Sequence, residues 1–340
     1  MTLTAALPVP LPAFLGINPD SIWLLIILFI VGLALVIKGG DIFVDAAAWV
    51  SDATGVSKVV IGATLVSFAT TAPELLTSVI ATAKGYNEIA VGNAVGSPVA
   101  NIGLGFAILA MFTPGAVLDG SFKLKGAIMV GVTALLLAFS LDGRLNVTEG
   151  LVLFALFGVS MVVNIKSNDG DDSRVKIPQT NLSVLINIGK FIVGAAALVL
   201  GSNLLVDNGQ RLAETVGIPP AVVGVTFVAI GTSLPEVVTS ITAVIKKQNA
   251  LSIGNIVGAN ILDNTLILSI CSFVSRGNLA VPQQTQRLDL PFSLGIMVLA
   301  VLPTAVGRKL YRWQGAIIFA IYVVYILLIS GIINIQGVTA

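Results

Sequence analysis

Glu74 and Glu236 stand 162 residues apart, each directly after a proline and each inside an apolar stretch. A bare carboxylate at membrane depth costs on the order of 3 kcal/mol or more, so each needs a partner, a proton or a bound cation. Pro73 and Pro235 lack an N–H and press on the carbonyls four residues back, at Ala69 and Gly231. That predicts broken or kinked helices with free carbonyl oxygens, which membrane proteins tolerate where the backbone lines a cavity. Thr70 and Thr71 lie four and three residues before Glu74, and Thr232 and Ser233 hold the same places before Glu236. At helical spacing these hydroxyls share a face with the carboxylate.

A second pair of segments adds polar groups. Asn93, Ser97 and Asn101 recur every fourth residue and form one stripe on a helix; the matching stripe is Asn255, Ala259 and Asp263. Gly92, Gly96, Gly254 and Gly258 are the small residues that let membrane helices approach closely. Read alone, the glycines serve packing and each acid could be a buried hydrogen-bonded group. Three acids gathered with hydroxyls, amides and freed carbonyls favour a cation site. Every donor is oxygen, which suits calcium, with its roughly 6–8 oxygen ligands, better than magnesium, which keeps its water; sodium accepts the neutral oxygens too. Soft metals call for Cys, His or Met. The chain has no histidine, and its one cysteine, Cys271, lies in an apolar run as a small core residue. Fixed negative charge argues against an anionic substrate.

The elements that position these residues are membrane spans. Of 340 residues 56% are hydrophobic and only 10% charged, against about 25% in a soluble domain. The whole chain therefore reads as a membrane domain, and its net charge of +1 gives no sign of nucleic-acid binding. Ten spans are expected, at 21–50, 58–83, 87–112, 124–141, 147–165, 183–213, 219–245, 249–274, 289–306 and 312–334. With the N-terminus outside, the cytosolic connections carry twelve Lys or Arg and the outer ones five, which favours that orientation. Residues 1–20 hold four prolines and no basic segment, unlike a cleaved signal peptide. The polar connection 166–182 contains Asp169, Asp171 and Asp172 and reads as a solvated cytosolic hinge rather than a calcium loop.

The chain repeats itself. Sliding it by 162 residues aligns Gly39–Leu104 with Gly201–Leu266 without a gap, and 21 of the 66 positions are identical. GATLVSFATTAPELLTSVIA (62–81) meets GVTFVAIGTSLPEVVTSITA (224–243), and GNAVGSPVAN (92–101) meets GNIVGANILD (254–263). The offset covers five spans, an odd number, so the two copies lie in opposite orientations across the bilayer. The expected organisation is a first five-helix repeat (1–165), a linker (166–182) and a second repeat (183–340). Inverted repeats with a site at the midplane characterise secondary transporters.

At ATTAPE (69–74), GTSLPE (231–236) and the two GN-containing blocks the sequence resembles the cation/calcium exchanger superfamily, in its sodium/calcium exchanger branch of prokaryotic type. The resemblance implies an all-α membrane protein of ten helices in two inverted repeats, broken at the centre. It implies a calcium/sodium antiporter of the cell membrane with no cofactor, whose transported ions are Ca2+ and Na+. Glu74 and Glu236 would bind calcium at the centre, completed by Asn101 and Asp263. Thr70, Thr71 and Ser97, with the Ser67 carbonyl, would hold one sodium ion. Thr232 and Ser233, with the Ala229 carbonyl, would hold another. The first and sixth spans would slide over the rest. The sequence departs from the family pattern at Ala259, where serine is usual, and at Pro98, where asparagine is usual. Ala259, with the titratable Asp263, keeps a proton/calcium antiporter in view as the alternative. A cation channel fits inverted repeats less well, and an intramembrane enzyme lacks a nucleophile–base pair.

Overall fold

The structure, a computed structural model, describes residues 21–116, 121–166, 180–215, 231 and 233–330. Among these residues it contains ten main helices: α1 (Ile22–Thr54), α2 (Lys58–Ala83), α3 (Asn87–Phe112), α4 (Ser121–Phe139), α5 (Val147–Lys166), α6 (Asn181–Thr215), α7 (Leu234–Ile245), α8 (Asn249–Val274), α9 (Thr285–Gly307) and α10 (Arg312–Ile329). Each expected span holds one of them. Nine regions are long and apolar enough to cross a membrane, and α7 is the described part of the seventh. Positions 219–230 of that span and almost all of the 166–182 connection lie outside the described residues.

Local sequence sets the helix ends. Gly55, in the left-handed region at φ 75°, closes α1 by donating its N–H to the Ser51 carbonyl. Asn146 and Glu149 form a reciprocal cap at the start of α5: Asn146 Oδ1 accepts from Glu149 N at 3.0 Å, and Asn146 N donates to Glu149 Oε2 at 2.8 Å. One short β pair was not expected. Arg144–Leu145 runs antiparallel to Leu279–Ala280 and ties the α4–α5 turn to the connection after α8.

α8 is the central helix. Every residue from Leu251 to Ser269 is buried. α2 packs along it through glycines: a Cβ on Gly258 would come within 2.6 Å of Ala63 Cα and 2.7 Å of Ser67 Oγ, and one on Gly254 would collide with the Val59 carbonyl. Gly92 and Gly96, expected to serve the same end, meet no described residue within 4 Å. α1 and α6 form an antiparallel pair. Cβ atoms on Gly32, Gly39 and Gly194 would lie 2.7 Å from Leu205 N, 2.8 Å from Leu198 N and 2.7 Å from Phe43 N. Such backbone-to-backbone approach is the small-residue packing of membrane helices.

The repeat is visible in the backbone. Gly85 and its counterpart Lys247 both have positive φ, 83° and 58°, in the turns after α2 and α7. Those turns close alike, with Tyr86 N donating to Ala81 O and Gln248 N to Ala243 O. π-helical turns interrupt α3 at Asn101–Phe106 and α8 at Asp263–Ile267. The two repeats therefore share these turns and the π-helical turn of their third helix.

Candidate cation site

Glu74 and Glu236 are almost wholly buried, at 1% and 2% exposure, and so are Asp263 and Asn101. They come from four helices, two in each repeat. Asn101 and Asp263 each begin the π-helical turn of their helix, a distortion frequent at functional sites.

The prolines act differently in the two halves. Before Pro235 the helix is interrupted: Ser233 lies in a turn at φ −88°, ψ 1°, and α7 starts at Leu234. Proline suits such a first turn because it lacks only an N–H that has no helical partner there. Before Pro73 the expected break is absent. α2 continues through the proline, and its irregular backbone is a π-helical turn at Gly62–Val66, ending next to Ser67.

Two matching buttresses hold the glutamates. Asn93 Nδ2 donates to the Glu74 carbonyl at 3.3 Å and to Ser78 Oγ at 3.0 Å. Asn255 Nδ2 donates to the Glu236 carbonyl at 3.3 Å and to Ser240 Oγ at 3.2 Å. These asparagines thus bind main chain and join neighbouring helices. Their glutamate side chains point onward. Thr71 Oγ1 donates to Glu236 Oε1 at 3.0 Å, so a hydroxyl of one repeat meets the acid of the other. Thr70 Oγ1 donates to the Ser67 carbonyl at 3.3 Å and lies 3.5 Å from Asn255 Oδ1.

Several oxygens at this centre have no hydrogen-bond partner among the described residues: both carboxylate oxygens of Glu74, Glu236 Oε2, Asp263 Oδ1, Asn101 Oδ1, Ser97 Oγ and Ser233 Oγ. All are buried. Burying such groups without partners is costly, and native proteins rarely do it without an ion, a water or a function to account for it. The acids also feel one another: Glu74 is within electrostatic range of Glu236 and Asp263, and Asp263 of Glu236. Among the described residues no three acids, cysteines or histidines close into a compact metal cluster. The centre is a mixed set of carboxylates, amides and hydroxyls.

One residue of this network was missed in the sequence. Asn260 Oδ1 accepts from Asn101 Nδ2 at 3.1 Å, while Asn260 Nδ2 lies 3.5 Å from Met129 Sδ. This pairing leaves Asn101 Oδ1 directed elsewhere. Asn260 matches Pro98 in the repeat, so the alignment hid it. Of the residues expected to flank the acids, Thr232 and Ala229 lie outside the described residues.

A polytopic bundle whose two halves repeat in inverted form, with its acids buried where those halves meet, is a secondary transporter and not an enzyme. Comparisons with known proteins agree. The profile described as "Sodium/calcium exchanger protein" matches residues 24–166 and 186–331. The sodium/calcium exchanger MaX1 of Methanosarcina acetivorans is 27% identical over 343 residues, covering 89% of this chain and 97% of that protein. The inner membrane protein YrbG of Escherichia coli is 30% identical over 261 residues, covering 74% and 80%. A structure of the sodium–calcium exchanger NCX_Mj soaked with Na+ and Sr2+ superposes with a TM-score of 0.80 at 28% identity, covering 91% of this chain and 99% of that one. The chain belongs to the sodium/calcium exchanger family, as a multi-pass membrane antiporter.

Proposed function

We propose that this protein exchanges calcium for sodium by alternating access, and that calcium binds between Glu74 and Glu236. The observation that carries the reading is the set of buried, unpartnered oxygens at the meeting of the two repeats. Two or three carboxylates with an amide and hydroxyls supply the hard, oxygen-only shell that calcium takes. Asn101 and Asp263 complete the central ring. Thr70, Thr71, Ser97 and the Ser67 carbonyl serve one sodium ion; Thr232, Ser233 and the Ala229 carbonyl serve the other. MaX1 and NCX_Mj are both named as sodium/calcium exchangers, which supports the same choice of ions. The proposed organisation is a repeat at 1–165, a cytosolic linker at 166–182 and a repeat at 183–340. The excess of cytosolic Lys and Arg favours an N-terminus outside the cell membrane.

A second reading has its own support. Ala259 stands opposite Ser97 and Asp263 opposite Asn101, so the second repeat has one hydroxyl fewer and one titratable group more. That composition suits proton coupling. Purified protein in sealed vesicles separates the readings. Calcium uptake driven by an outward sodium gradient at equal pH supports sodium coupling. Uptake that answers only to a pH gradient supports the proton reading and overturns the first.

A further inference from the structure

The two repeats are not in the same conformation, and the difference centres on one pair of lysines. Lys246, just past the end of α7, places its ammonium 2.6 Å from Asp41 Oδ1, 2.7 Å from Asp45 Oδ1 and 2.9 Å from the Asp41 carbonyl, all on α1. An ammonium has three donors, and all three are used. Next to this contact α1 sits closely on α7: a Cβ on Gly40 would lie 3.1 Å from Thr242 Oγ1 and 3.2 Å from Val238 Cγ1.

The 162-residue offset maps Lys246 onto Lys84, Asp45 onto Asp207, and Val238 and Thr242 onto Leu76 and Ile80. In the other half the corresponding ion pair is not made among the described residues. Lys84 has no ion pair among the described residues and is exposed, whereas the Lys246 side chain is 21% exposed. Leu76 and Ile80 are 59% and 47% exposed, where their counterparts lie under α1. Thus α1 lies closely on α7, while Leu76 and Ile80 of α2 lack the cover that Val238 and Thr242 have.

From this asymmetry we infer that Lys246 with Asp41 and Asp45, and Lys84 with Asp207, are two alternative latches for the α1–α6 pair, one closed in each access state. The spacing makes them exclusive. α1 and α6 are locked in register, with Gly32 opposite Leu205 and Gly39 opposite Leu198. That register places Asp207 level with about residue 30 of α1, which at the helical rise is ~20 Å along the pair from the Asp41–Asp45 centre. The two lysines cap opposite ends of the bundle, separated by about the ~30 Å of a hydrocarbon core. A unit whose acids are ~20 Å apart cannot satisfy lysines ~30 Å apart at once, so a slide on the order of 10 Å opens one latch as it closes the other. In the opposite state α6 covers Leu76 and Ile80, and Val238 and Thr242 lose their cover.

Paired cysteines test this, in a Cys271→Ser background so that no native thiol competes. Asp45→Cys with Lys246→Cys forms one pair, and Asp207→Cys with Lys84→Cys the other. The lysine side chain spans more than a disulfide reaches, so a short bis-methanethiosulfonate linker, cleaved by reductant, is the probe. Cross-linking is read as a mass and mobility change, without reference to which ion is carried. Both pairs should cross-link, with opposite dependence on calcium and sodium at the two faces. Each linked protein should lose exchange and regain it on reduction. Single Lys246→Ala and Lys84→Ala changes should shift the half-saturating calcium concentration at a given face several-fold in opposite directions. The inference is overturned if the Asp207–Lys84 pair never links under any ionic condition while the Asp45–Lys246 pair does. It is equally overturned if both lysine substitutions shift the same face in the same direction.

Discussion

At the scale of single residues, the glutamates and the asparagine beside them carry the account. Glu74→Gln and Glu236→Gln keep size and lose charge. Each should abolish calcium flux in vesicles while leaving the purified protein folded, as judged by a single symmetric peak in size exclusion. Normal flux in either variant would remove the proposed calcium ligands. Asn260 offers a finer test. Asn260→Leu removes the acceptor that holds Asn101 Nδ2, leaving a buried donor unsatisfied at a cost of about 1–3 kcal/mol. Thermal unfolding should record that loss, and apparent calcium affinity should fall with it because Asn101 Oδ1 is no longer fixed. The acids, hydroxyls and the polar stripe were legible in the sequence, since charge at membrane depth and aligned motifs each demand a reason. Asn260 was not, because its repeat partner is Pro98 and its role is a contact across 159 positions of chain, invisible to local spacing. The asparagines Asn93 and Asn255 were legible as important but not as buttresses. Their amides reach back to main chain and a serine on the preceding helix, a geometry only the packed structure defines.

At the scale of elements, glycine contacts set how closely α2 lies on α8. Gly258→Leu places side-chain atoms where Ala63 and Ser67 already stand. Overpacking of this kind typically costs about 1–3 kcal/mol. The variant should unfold at lower temperature and bind calcium more weakly, since Ser67 and the Thr70 hydroxyl bonded to its carbonyl move with α2. An unchanged melting temperature would show that the helices separate freely and that this contact does not position the site. Length and apolar composition placed a span at each of α1 to α10, and the ends that lie among the described residues fell within a few residues because caps and turns are local. The prolines signal only part of the local structure. The sequence signals a distortion near each glutamate, but whether the chain breaks at the proline or absorbs it in a π-helical turn upstream depends on neighbouring helices. In the first repeat α2 is held against α8 through Gly254 and Gly258, and its chain continues through Pro73.

At the scale of the molecule, inversion of a repeat explains why one sequence can serve two faces of a membrane. The same fold element in opposite orientations gives a bundle that can exchange the conformations of its halves. If the inferred latches alternate, the unequal cover on α7 and α2 is the mark of one of two access states. Odd-span spacing in the sequence alone predicts the inversion. It does not predict which half is covered, because that difference lies in contacts between halves whose sequences match. The two-residue β pair joining the α4–α5 turn to the segment after α8 also escaped the sequence, being too short to leave a pattern.

The central claim is that calcium moves through the Glu74–Glu236 centre in exchange for sodium. The most direct measurement is radioactive calcium uptake by sodium-loaded proteoliposomes diluted into sodium-free buffer, with pH equal on both sides, for the wild type and for Glu74→Gln. The wild type should accumulate calcium against its gradient, stop when a sodium ionophore collapses the sodium gradient, and Glu74→Gln should show only the background of empty liposomes. Uptake that persists after the sodium gradient is collapsed, or that survives in Glu74→Gln, would contradict the account.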